Sequence, residues 1–251
     1  ALLDSELLLS QVIKKDRKFI LLNLDKKLDK SAQNSFRDLI LKRSRGKPLA
    51  YLTGIKSFWK YDFKVNEKVL IPRPDTEIII EQVLRIYKNK NYINFLEVGV
   101  GSGCIALSIL KEKKSFSGTG IDLSQDCIEI CRYNAKKLGV NRRIKLLKSD
   151  VDNLIFHKYD LIVSNPPYIK KIDLKCLEKD IGFEPKQALD GGLDGLSEIR
   201  KVINKSSELI KRSGHFIIEI GFDQKNKVKK ILRDKGFHIK RTVKDLSLIH
   251  I

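Results

Sequence analysis

No methionine occurs anywhere in the 251 residues, position 1 included, which points to a processed or altered chain and carries no functional message by itself. No apolar run approaches the ~20 residues of a membrane helix. Nor is there a secretory pattern of basic start, apolar stretch and small-residue cleavage site. A soluble, cytoplasmic protein is the expectation. The four cysteines, Cys104, Cys127, Cys131 and Cys176, form no C-x-x-C pair. Cys127 and Cys131 stand one helical turn apart and could supply half a metal site; small core-facing residues in a reducing compartment explain them better. The histidines, His157, His215, His238 and His250, match no ligand spacing, so no metal is expected.

What is present is a large apolar fraction, 42%, enough for a real core in one domain or two. The formal net charge is +19. That suits an anionic partner such as RNA or a ribosome-associated protein, and equally a lysine-rich composition spread over solvated faces. Lysines occur along the whole chain, and no compact basic cluster with interleaved aromatics marks a nucleic-acid stripe.

Residues 4 to about 45 read as a small helical bundle. Leu7, Leu8, Val12 and Ile13 share one face; Phe19, Ile20, Leu22 and Leu24 suggest a second helix, and Ser35 to Arg43 a third. Gly46 and Pro48 end it. From Tyr51 to Val69 the residues turn aromatic and β-branched, as in a hairpin. Leu70-Ile-Pro-Arg-Pro-Asp-Thr-Glu77 then forms a rigid corner, its two prolines fixing φ. The expected organisation is a helical unit over 1–48, a connector over 49–74 and an α/β domain over 75–251.

In that last stretch helix and strand alternate. Asp75 or Thr76 is placed to cap a helix bearing Ile79, Ile80, Val83 and Ile86. Strands are expected at 94–98, 117–122, 144–147, 159–163, 215–220, 237–243 and 246–251. Such alternation argues a doubly wound, seven-stranded, mostly parallel sheet.

Two loops carry the chemistry. Glu97-Val-Gly-Val-Gly-Ser-Gly103 leaves one strand and opens a helix. Gly99, Gly101 and Gly103 permit a tight turn and close approach of a ligand to the backbone at Val100 and Ser102. Asp122 ends the next strand, about 20 residues on, where a carboxylate can accept both ribose hydroxyls of an adenosine. The spacing is not the G-x-G-x-x-G of a dinucleotide fold, and Glu97 opposes a phosphate. A ligand with a cationic amino acid part fits instead, and S-adenosyl-L-methionine is one. Asp150 and Val151, at the end of the third strand, can meet an adenine edge; a plain turn aspartate is the other reading of Asp150.

The second loop is Asn165-Pro-Pro-Tyr168, delivered by the apolar strand Leu161-Ile-Val163. Methyl transfer to an amide or exocyclic amine nitrogen needs acceptors for its N–H groups, because that nitrogen is conjugated and weakly nucleophilic. The Asn165 side chain and the Pro166 carbonyl are such acceptors, Pro167 stiffens the loop, and Tyr168 is an aromatic wall. Alone the tetrapeptide could be a structural turn; beside the glycine loop it points to methyl transfer.

At this point the sequence resembles a known family, the protein-(glutamine-N5) methyltransferases called HemK or PrmC. The resemblance runs over nearly the whole chain. It rests on Arg45-Gly-Lys-Pro-Leu-Ala-Tyr51, Gly54 with Phe58-Trp59, and Leu70-Ile-Pro-Arg-Pro-Asp-Thr-Glu77. It continues in Ile162-Val-Ser-Asn-Pro-Pro-Tyr-Ile169, Phe183-Glu-Pro185 with Ala188-Leu189, Gly191-Gly192, Asp194-Gly195, and Ile218-Glu-Ile-Gly221 with Gln224. The resemblance implies a Rossmann-like class I methyltransferase that uses S-adenosylmethionine. Its substrate would be the glutamine of the Gly-Gly-Gln loop in class I peptide chain release factors. Gly99 to Gly103, Asp122 and Val151 would line the cofactor site, Asn165 to Tyr168 would hold the glutamine, and Asn165 would lie near both. The N-terminal helices would recognise the release factor, with Phe58 and the Pro72–Pro74 corner near the cleft. The alternatives are an adenine N6 methyltransferase acting on RNA or DNA, and a non-enzymatic binding module. Intact Gly99, Gly101, Gly103, Asp122 and Asn165 argue against the latter.

Overall fold

A computed structural model describes residues 2–155 and 157–244. The N-terminal unit has helices α1 (Leu2–Ile13), α2 (Arg17–Leu21), α3 (Lys30–Ser44) and α4 (Leu49–Thr53). Asp16 and Asp29 cap α2 and α3, accepting from Phe19 N and Ala32 N at 2.8 Å each. Leu8 and Ile20 are buried in it, with Glu6 and Pro48, whereas Leu22 caps the end of α2 and Leu24 lies beyond it, both exposed. The helix expected to reach Leu24 therefore stops early, where no neighbouring element covers those leucines. Residues 49–53, expected within the hairpin connector, form a helix that ends at Gly54 with φ of 72°.

The hairpin is β1 (Ile55–Phe58) and β2 (Tyr61–Lys64), with Phe58 and Phe63 turned into the core edge to face, 6.1 Å apart. Asn134 fastens it to the α/β domain: its side chain accepts from Lys64 N at 2.8 Å and donates to Lys64 O at 3.0 Å and Ser102 O at 2.9 Å. Pro74–Thr76 make a 3-10 turn that runs into α5 (Glu77–Ile86).

The main sheet consists of β3 (Asn94–Val98), β4 (Ser117–Asp122), β5 (Ile144–Lys148), β6 (Tyr159–Ser164) and β7 (Ile210–Ile218). Its order is β5-β4-β3-β6-β7, and every pairing is parallel. Helices α6 (Cys104–Glu112) and α7 (Gln125–Lys137) pack with α5 on one face, around Phe95, Leu107 and Leu161. Helices α8 (Ser197–Leu209) and α9 (Lys225–Asp234) cover the other, around Leu96, Ile162 and Ile203. Strands buried on both faces read as continuous apolar runs, as 161–163 does. The chain moves one way from β3 through β4 to β5 and then returns to the other side of β3 with β6. That reversal opens a crevice at the carboxyl ends of β3 and β6.

Five strands stand in this sheet among the described residues, not the seven expected. Residues 237–243 alternate in polarity as a strand would, and Phe237 packs on Phe216 at 5.4 Å, but they join no ladder. Alternation buries one face and does not by itself supply a hydrogen-bonding partner. The strand expected at 246–251 lies outside the described residues.

Candidate active site

A cleft of about 550 Å³ opens at the crevice, within the usual range for a small-molecule site. Four strand ends build its walls. Gly99 and Gly101 follow β3, Asp122 ends β4, Asp150 and Val151 follow β5, and Ser164 to Pro167 end β6.

The glycine loop turns sharply, with φ of 75° at Gly99, 51° at Gly101 and 84° at Gly103. A side chain on Gly99 or Gly101 would meet no atom within 4 Å, because both face the open cleft. On Gly103 it would strike Cys131 Sγ at 2.6 Å and Leu107 at 2.8 Å, so this glycine serves the packing of α6 on α7. Val100 and Ser102 are buried behind the cleft wall.

Most of the loop's N–H groups are already committed, three of them to the end of β4. Gly99 N and Val100 N both donate to Ile121 O at 2.9 Å, Gly103 N donates to Val100 O at 2.7 Å, and Gly101 N donates to Asp122 Oδ2 at 2.9 Å. Glu97 also turns away from the cleft. Fully buried, it accepts from Ala106 N at 2.8 Å and so occupies the amino end of α6, where a dinucleotide fold would seat its pyrophosphate. Burial holds its carboxyl well above the usual range, against the pull of the Ala106 bond. A phosphate would find few free donors here and a carboxyl group in its place. A nucleoside without phosphate fits.

Asp122 supplies the polar handle. Its Oδ1 accepts from Ser124 N and its Oδ2 from Gly101 N, each at 2.9 Å, and the Cys127 side chain and the Leu123 N–H also bear on the carboxylate. Burial raises its carboxyl, while these N–H groups pull it back. Asp150 caps a 3-10 turn, accepting from Asp152 N at 3.1 Å, and so presents Val151 to the cleft.

Across the crevice, Ser164 Oγ donates to Val98 O at 2.8 Å and ties the end of β6 to β3. Asn165 Nδ2 donates to Thr76 Oγ1 at 3.1 Å, and Thr76 Oγ1 donates to Glu219 Oε2 at 2.7 Å. The Tyr168 hydroxyl donates to Glu219 Oε1 at 3.3 Å. Gln224 Nε2 holds the loop's far end, donating to Tyr168 O at 2.9 Å and Gly195 O at 3.0 Å. Asn165, Pro166 and Pro167 thus line the same cleft as the glycine loop, whereas Tyr168, expected to wall the site, is not among the lining residues and packs half-buried against the core around Leu96 and Ile162.

Glu184, Glu219 and Gln224 have no site role in the sequence reading, and Thr76 figures there only as a candidate helix cap, although each lies in a segment that carries the family resemblance. Glu184 is buried; it accepts from Ile71 N at 3.0 Å and pairs with Arg73, anchoring the Pro72–Pro74 corner. Phe58, expected near the cleft, is instead a core residue under the hairpin. Only motif membership could have pointed to these acids, since they come together from distant parts of the chain.

The chain matches known families and proteins. A family model for the PrmC N-terminal domain matches residues 1–54, and one for the methyltransferase small domain matches residues 76–192. A release factor glutamine methyltransferase of Caulobacter vibrioides is 41% identical over 212 residues, covering 84% of this chain and 73% of the relative. A bifunctional methyltransferase of Rickettsia conorii is 34% identical over 98% of this chain, which spans about half, 52%, of that relative. A ribosomal protein L11 methylase from Lactobacillus delbrueckii subsp. bulgaricus superposes with a TM-score of 0.54 at 20% identity, over 73% of this chain and 79% of the other. That last likeness shows the class I methyltransferase fold.

Proposed function

The chain belongs to the release factor glutamine methyltransferase family, and from that membership we propose that it methylates a protein glutamine. The methyl donor is S-adenosylmethionine, whose sulfonium supplies an electrophilic methyl group. The acceptor is the side-chain amide nitrogen of the glutamine in the Gly-Gly-Gln motif of a class I peptide chain release factor.

One observation carries the reading: the Asn165-Pro166-Pro167 wall and the Gly99–Gly101–Asp122 wall enclose a single cleft. Asp122 takes the ribose hydroxyls, Val151 and Asp150 border the adenine, and Gly99 and Gly101 let the ligand lie against the backbone. Asn165 Oδ1 and Pro166 O accept the two N–H bonds of the glutamine amide. These acceptors orient the nitrogen and offset the positive charge it gains as the new N–C bond forms. No strong base is needed, since the methylated nitrogen sheds its proton readily to water.

A protein substrate extends beyond a cleft of this size. The helical unit over 1–48 is the recognition domain in this reading, joined to the catalytic domain through the 49–74 connector. Arg43 donates to Asp180 at 2.9 Å, and Lys47 pairs with Glu67, which ties the unit to the α/β domain and to the connector. The site needs no nucleic acid. Among the described residues no helix is long and apolar enough to cross a membrane, and work on release factors belongs in the cytoplasm.

The test uses labelled S-adenosylmethionine with a release factor, its Gly-Gly-Gln→Gly-Gly-Ala variant, and RNA. Label on the first alone is expected. Label on RNA alone would contradict the reading and favour adenine methylation.

A further inference from the structure

Thr76 stands at the cap position before α5, yet its side chain makes no capping bond there. It is 2% exposed, and its hydroxyl is committed elsewhere. A hydroxyl has one proton to give. With Glu219 Oε2 at 2.7 Å as the acceptor, that proton is spent, and Thr76 Oγ1 meets Asn165 with a lone pair. The Asn165 amide must then turn its NH2 toward Thr76 and its carbonyl oxygen away from it.

Glu219 is placed to set this polarity. It follows β7, is 1% exposed, and its own N–H donates to Ser164 O at 3.0 Å. Its two carboxylate oxygens reach both ends of the Asn165–Tyr168 loop, one through Thr76 and one to the Tyr168 hydroxyl.

We propose that Thr76 and Glu219 are positioning residues: the relay Asn165 Nδ2–H to Thr76 Oγ1–H to Glu219 Oε2 locks the Asn165 amide with Oδ1 toward the substrate. A flipped amide would aim N–H groups at the N–H groups of the glutamine and lose its acceptor. The proposal rests on the function proposed above, deepens it, and gives the Leu70–Glu77 segment a chemical purpose.

The test compares Thr76→Val, Thr76→Ser and Glu219→Gln with the unaltered full chain. Valine keeps the shape and removes the relay; serine keeps the hydroxyl; glutamine can offer Thr76 a donor and so reverse the relay. Thr76→Val and Glu219→Gln should lower kcat for release factor methylation by about 10- to 100-fold, the scale of a misplaced reactive group. Cofactor Kd should stay within about twofold, since the relay orients a substrate acceptor and leaves the Asp122 wall intact. Thr76→Ser should recover most of the rate. In parallel, NMR of the Asn165 side-chain NH2, assigned by its loss in Asn165→Ala, should show slow exchange in the unaltered chain and Thr76→Ser and fast exchange in Thr76→Val. A Thr76→Val protein with unchanged kcat and unchanged NH2 exchange would overturn the proposal. So would a Thr76→Ser protein as impaired as Thr76→Val. An unaltered chain that shows the exchange pattern but leaves release factor unmethylated would support the relay and sink the function reading instead.

Discussion

Glu97 and Asp122 lie at the ends of neighbouring strands and do different work. Asp122 lines the cleft, whereas Glu97 is buried against the amino end of α6. The sequence marks both as acids at a glycine loop and cannot say which way each points, because direction depends on the packing of α6. The buried acid has a thermodynamic consequence. Its carboxyl is raised well above 4.5 in the folded chain, so the fold holds the proton longer than the unfolded chain does. Stability is therefore lost as pH rises from about 4.5 through the raised value, and is fully present below 4.5. Glu97→Gln keeps an acceptor for Ala106 N and removes the titration. Its melting temperature should exceed that of the unaltered chain at neutral pH, with the gap closing as pH falls below 4.5. A gap independent of pH would contradict this account of Glu97.

At the scale of elements, the Leu70–Glu77 corner decides where Thr76 stands. Two prolines stiffen it, and Glu184, from a segment more than a hundred residues later, clamps it through Ile71 N and Arg73. Glu184→Ala would leave a buried N–H unsatisfied and Arg73 without its partner. The expected cost is about 2–4 kcal/mol, which corresponds to a melting point lower by roughly 5–15 °C. Methyl transfer should fall with it, since the corner carries Thr76. Unchanged melting by calorimetry would show that the clamp is incidental. The elements themselves were largely legible in the sequence. Strands at 94–98 and 117–122 stand where apolar runs meet glycine or aspartate, and Ser124 caps α7, accepting from Cys127 N at 3.4 Å. What was not legible is pairing across distance: Thr76 looked like a helix cap because local spacing cannot show that Glu219 competes for its hydroxyl. Likewise, residues 237–243 carry strand alternation without a ladder to join.

At the scale of the whole molecule, the fold explains why two loops separated by some sixty residues make one site. A parallel doubly wound sheet places every strand's carboxyl end on one edge, and the reversal of strand order at β3 and β6 parts that edge into a cleft. The glycine loop, Asp122 and the Asn-Pro-Pro-Tyr loop therefore converge without contact in sequence. The alternation of helix and strand was enough to foresee that convergence. It did not foresee the buried network of Thr76, Glu219, Tyr168 and Gln224 that holds the second loop from behind. The central claim is that a glutamine side chain receives the methyl group in this cleft. Tandem mass spectrometry of a release factor incubated with the chain and S-adenosylmethionine tests it most directly. One added methyl on the side-chain amide of the Gly-Gly-Gln glutamine is the predicted result; a release factor left unmodified, or methylated at any other residue, would contradict it.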